Sequence, residues 1–156
     1  MIPIVWKSWF DAEHTTAIRD AIKEAIVASG YLPIVIDEVP HSDFIMNRVI
    51  NEINESRFIV ADFTSVKENE SDDRIKGGVR GGVYFEAGYA RGQRKKVFHT
   101  CRWDSESEKR LHFDVKQINT LFWEPDDTKG IKNRDKFIDD LKQSIWAEGG
   151  KGSHIN

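Results

Sequence analysis

Arg57-Phe58-Ile59-Val60-Ala61-Asp62 is an apolar run bounded by a charge at each end. A strand with one wet face alternates apolar and polar residues. A run without alternation is what a strand shows when helices cover both faces of its sheet. That reading makes the protein a parallel α/β domain, and the segments on either side agree with it.

Upstream, Ser42 or Asp43 caps a helix whose stripe is Phe44, Ile45, Val49, Ile50 and Ile53, ending near Ser56. Before it come the loop Asp37 to His41 and the strand Leu32-Pro33-Ile34-Val35-Ile36, with proline at the start, where a missing donor matters least. Asp11 through Ser29 carries Ala17, Ile18, Ala21, Ile22, Ala25 and Ile26 at helical spacing, and Gly30 closes it. A first strand, Ile2 to Lys7, runs into the loop Ser8-Trp9-Phe10-Asp11.

Downstream, Phe63 to Arg80 is polar and rich in charge and glycine, the composition of a long loop. A helix from about Gly82 to Gly92 turns Val83, Ala87 and Ala90 inward. Lys96 to Cys101 reads as a fourth strand, Arg102 to Arg110 as a charged loop and Leu111 to Lys116 as a short turn or helix. Ile118 to Trp123 reads as a fifth strand, and Ile131 to about Glu148 as a last helix with Phe137, Ile138, Leu141 and Ile145 inward. Alternation of this kind predicts one domain over 1–148, a three-layer flavodoxin-like sandwich with a five-stranded parallel sheet in the order 2-1-3-4-5, and a flexible tail over 149–156.

The chain has 156 residues, 39% hydrophobic and 31% charged, with a net charge of -3, which suits one soluble domain and a small-molecule partner. No nucleic-acid or membrane partner is expected from that balance. Cys101 is the only cysteine, so a cytoplasmic setting is expected and an internal disulfide is excluded.

In such sheets ligands bind beyond the carboxyl ends of the strands, where strand order reverses. Ser8 to Phe10, Asp62 and the segment leading to Glu86 all fall there. Glu86 sits near the start of the Gly82 helix, beside its inward face. An acid so placed is either a reagent or a partner of the helix dipole. Gly77-Gly78-Val79-Arg80-Gly81-Gly82 lacks the lysine and hydroxyl of a phosphate-binding P-loop. His99, Cys101 and His112 make a poor metal set; packing suits the first two better, and no metal or cofactor is expected. Ser8 has no histidine nearby in sequence to activate it, and its hydroxyl suits an anion or a helix cap. Two carboxylates, Glu86 and Asp62, with walls from Trp6, Trp9, Phe10 and Tyr84, suit cleavage at an anomeric carbon, where the leaving group is a sugar or a nucleobase.

Trp9-Phe10, Ile59-Val60-Ala61-Asp62-Phe63-Thr64 and Gly82-Val83-Tyr84-Phe85-Glu86-Ala87-Gly88-Tyr89-Ala90 together resemble the nucleoside 2-deoxyribosyltransferase-like superfamily, over a span reaching about Trp123. The resemblance implies a flavodoxin-like fold, Glu86 as the nucleophile of a glycosyl-enzyme intermediate, and Asp62 beside the sugar or base. It also implies that Trp9 and Phe10 enclose a nucleoside or nucleotide in a homo-oligomer. Deoxyribosyltransferases carry an acid six residues before the nucleophile, where this chain has Arg80. A cation there suits a phosphate, with Arg74 and Lys76 in support. Leu111-His112-Phe113-Asp114 with Gln117 and Asn119 resembles a prokaryotic branch with TIR-like relatives, in which His112 and Asn119 reach the pocket or stabilise a turn. The expected activity is N-glycosidase or deoxyribosyltransferase. The alternatives are a TIR-like NAD glycohydrolase in antiphage defence and a nucleotide-sensing module without chemistry.

Overall fold

The computed structural model describes residues 2–5, 12–36, 43–64, 81–103 and 118–149. In chain order these form β1 (Ile2–Val5), α1 (Ala12–Ala28), β2 (Pro33–Ile36), α2 (Asp43–Glu55) and β3 (Phe58–Asp62). There follow α3 (Gly81–Gly92), β4 (Lys96–Arg102), β5 (Thr120–Trp123) and α4 (Arg134–Gly149). All pairings in the sheet are parallel, in the order β2-β1-β3-β4-β5. Strand order therefore reverses between β1 and β3, where Ile4 pairs with Val60 and Val5 with Ala61.

Every residue of β3 is buried, which is why its sequence shows no alternation. Alternation survives in what each residue meets. Phe58 and Val60 join Phe98 and Trp123 under α1 and α4, in a core with Ile18, Ile22, Ile26, Leu141 and Ile145. Ile59, Ala61 and Phe63 join Val97 and Cys101 under α2 and α3, with Val49, Ile53, Val83, Ala87 and Ala90. The two faces of the sheet are thus distinct compartments.

Helix ends are held by local chemistry. At the end of α1, Gly30 takes φ 87° and its N–H donates to Val27 O, while Tyr31 N donates to Ile26 O, so the last carbonyls are satisfied. Lys95 Nζ donates to the carbonyls of Asn54, in the last turn of α2, and Ser56, just past it. The last helix starts at Arg134 rather than Ile131. Ile131 is instead bridged to Pro125, and Asp126 Oδ1 accepts from Thr128 N, Thr128 Oγ1 and Gly130 N to close the turn between them. The fifth strand likewise starts at Thr120, two residues after the apolar run begins.

Candidate active site

At the carboxyl edge, Asp62 is 3% exposed and accepts hydrogen bonds from Thr64 N (3.0 Å) on Oδ1, and from Thr100 Oγ1 (2.7 Å) and Trp123 Nε1 (2.9 Å) on Oδ2. Thr100 lies on β4 and Trp123 on β5, so one carboxylate ties the ends of three strands. The same edge is laced by Phe63 N to Thr100 O (2.8 Å), Arg102 N to Thr64 Oγ1 (3.1 Å) and Trp103 N to Trp123 O (2.7 Å). Burial of a carboxylate is tolerated when several donors meet it. Both oxygens of Asp62 are committed to such donors.

Because α3 connects parallel strands β3 and β4, it runs against them, and its Gly81 end lies at the carboxyl edge. Glu86 sits in the second turn, not the first, which leaves the helix dipole a weak reason for an acid there. It is 7% exposed. At 3.6 residues per turn, Glu86 lies about 60° round the helix from Val83 and roughly 160° from Tyr84. Tyr89, on the same flank, donates from its hydroxyl to Asn54 Oδ1 of α2 at 2.9 Å. Glu86 therefore faces the crease between α2 and α3, and α2 packs on β1. That crease runs along the helix layer beside the β1/β3 reversal, and ligands of such sheets bind beyond the carboxyl ends above it.

On the opposite flank of α3 lies His99, 3% exposed, in mid-β4 between Val97 and Cys101 on the α2/α3 face. Its ring stacks on Phe63, centroids 4.6 Å apart and planes 8° apart, and Phe63 meets Tyr84 at 5.4 Å. Among the described residues neither ring nitrogen has a hydrogen-bond partner. Burial lowers its pKa from 6.5 to about 4, with help from the charges of Arg91 and Lys96.

Which way Asp62 leaves its strand follows from its register. The pleat and its partners Thr100 and Trp123 put it on the α1/α4 face, whereas Glu86 belongs to the helix layer across the sheet. Tyr84, two residues before Glu86 on α3, packs its ring on Phe63. Asn119 is exposed at the amino end of edge strand β5, away from the crease. Gly82 is exposed in the first turn of α3. Ser8, Trp9, Phe10, Arg80 and His112 lie outside the described residues. A cleft of about 180 Å³ opens beside β5, lined in part by Phe122, Trp123, Lys132, Lys136 and Phe137, but no residue of α2, α3 or β3 lines it. Among the described residues no three His, Cys, Asp or Glu side chains stand close enough to hold a metal ion, and no helix is long and apolar enough to cross a membrane.

His99, Thr100 and Trp123 escaped the reading of the sequence as site components. Thr100 and Trp123 gave no signal, because their roles come from register between strands. His99 gave one: a histidine among apolar neighbours in a strand covered on both faces has few partners within reach.

No family description matches the chain, and no curated protein does. Solved structures do. A CMP N-glycosidase from Clostridium botulinum matches with a TM-score of 0.50 and 13% identity over 90% of this chain and 98% of its own. A flavodiiron core from Synechocystis matches with a TM-score of 0.50 and 13% identity over 94% of this chain and 36% of its own. A 2-deoxyribosyltransferase from Leishmania mexicana gives 0.48 and 19% over 85% and 77%. The CMP N-glycosidase and the flavodiiron core share this fold to the same degree, so the fold alone does not choose a reaction.

Proposed function

We propose that this chain cleaves the N-glycosidic bond of a nucleoside or nucleotide, with Glu86 as nucleophile. The observation that carries the reading is Glu86 itself: an acid 7% exposed, in the second turn of α3, a helix that begins at the carboxyl edge of the sheet. Burying an acid beside Val83, Ala87 and Ala90 costs desolvation, and buried acids of this kind are enriched at functional sites. A Glu86 oxygen bonds to C1′ as the C1′–N bond breaks; the bonding pair leaves with the base, which takes up a proton. Water then attacks C1′ of the resulting ester, freeing the sugar and returning the carboxylate, and a second base in place of water gives transfer.

The remaining residues take the roles that the sequence resemblance and their side-chain chemistry suggest. Ser8, Trp9 and Phe10 enclose the substrate from the β1 loop, Arg80 meets a phosphate, Gly82 keeps the mouth of α3 open, and His112 contacts the base or sugar. Asp62 is assigned a positioning role, since donors on both oxygens leave it poorly suited to passing protons. The neighbour's substrate, CMP, and the cation at Arg80 put nucleoside monophosphates first. A homo-oligomer belongs to the same reading.

The test is a panel of CMP, other nucleoside monophosphates, deoxynucleosides and NAD, with released base separated by chromatography. Release from a monophosphate that stops in Glu86→Gln supports the proposal. Release of nicotinamide alone makes the protein an NAD glycohydrolase. A nucleotide that raises the melting temperature and stays intact overturns catalysis in favour of sensing.

A further inference from the structure

We infer that His99 is an acid-sensitive latch that holds α3, and with it Glu86, against the sheet. The consequence for turnover rests on the function proposed above; the latch does not. A chain of contacts makes the connection: the His99 ring lies flat on Phe63, and Phe63 meets Tyr84, two residues before Glu86 on α3. The neighbours of His99 on the strand, Val97 and Cys101, pack in one cluster with Val83, Ala87 and Ala90.

A neutral imidazole favours the closed latch. A proton would leave a charged ring 3% exposed, with no acceptor on either nitrogen among the described residues. Of the described groups on the elements around it, α3 contributes Arg91 and, on its opposite flank, the buried Glu86, and β4 contributes Lys96 and the Cys101 thiol, while β3 and β5 contribute Ala61 and Thr120 at the paired positions. The charges that act on the ring, those of Arg91 and Lys96, are cations and oppose the proton. Relief comes from separating α3 from β4, which lets water reach the ring. In the open form the ring regains its ordinary pKa of 6.5, against about 4 when closed. Between pH 7.5 and pH 5 the ratio of closed to open forms then falls on the order of 30-fold.

Hydrogen exchange on the intact protein reads this directly. Protection factors over 81–92, corrected for the intrinsic pH dependence of exchange, should fall about 30-fold more than those of α4 (Arg134–Gly149) between the two pH values. In His99→Phe, whose ring keeps the stack on Phe63, that excess should vanish. An equal fall in both helices, or the same response in the variant, overturns the latch. Should His99→Phe not fold, NMR titration of the wild type decides: amide signals over 81–92 that shift or broaden in step with the imidazole's own titration support the proposal, and an imidazole that titrates while those amides stay unchanged refutes it. Neither measurement involves turnover. An inactive protein can therefore pass both, and an active one can fail them.

Discussion

The indole of Trp123 donates to Asp62 Oδ2 at 2.9 Å, so a side chain on β5 reaches a carboxylate on β3 across the intervening β4. Thr100 on β4 donates to the same oxygen at 2.7 Å. Replacement by Asn turns one acceptor into a donor facing donors. Asp62→Asn should destabilise the fold by about 2–4 kcal/mol, because buried groups are left without partners. Urea denaturation checks this; an unchanged midpoint would show that the three strand ends do not depend on this group.

Glu86→Gln keeps the volume of the buried side chain and removes the nucleophile. Turnover should fall roughly a thousand-fold or more, as it does when a covalent catalyst is lost. Circular dichroism and melting temperature should stay close to wild type. A variant within tenfold of the parent rate would eliminate the covalent route.

The pKa of His99 stands below its unfolded value, so the native state favours the neutral ring. Its contribution to stability is whole above about pH 6.5 and is lost as pH falls toward 4, where it levels off. The span amounts to about 3 kcal/mol. Melting curves between pH 7.5 and 4.5 should show that loss in the wild type and a shallower one in His99→Phe. Parallel slopes would mean that other groups govern acid unfolding.

Arg94 holds φ 59° just past α3, where Arg94 N donates to Arg91 O and Lys95 N to Ala90 O. A left-handed residue with a side chain costs about 1–2 kcal/mol, and glycine's extra freedom when unfolded returns roughly 0.5–1. Arg94→Gly should therefore stabilise by about 0.5–1 kcal/mol. A lower melting temperature would mean that the arginine side chain contributes more than its backbone costs.

Spacing made the frame legible. Of Ala17, Ile18, Ala21, Ile22, Ala25 and Ile26, read as one helical stripe, all but the half-buried Ala17 are buried, and the unbroken apolar run at β3 is buried throughout. What spacing hides is pairing at a distance. Asp62 meets Thr100 and Trp123, 38 and 61 residues away, and nothing in the local pattern tells which face of the sheet it ends on until the neighbouring strands are in register. Ile131 misleads for a related reason: an apolar residue ahead of a helix continues its stripe on paper, while in the fold it bridges to Pro125. Glu86 was legible as an oddity, but its flank became clear only through Tyr89 and Asn54.

Trp146 on α4 donates to the carbonyl of Ser29 at the end of α1, a bond that joins residues 117 apart. Around it Ile18, Ile22 and Ile26 share one core with Leu141 and Ile145. During synthesis the early helix must therefore wait, with its oily side uncovered, until the late one has left the ribosome. Such a nascent chain is a natural client for a chaperone, and a premature stop ahead of α4 should yield aggregates rather than a smaller folded protein.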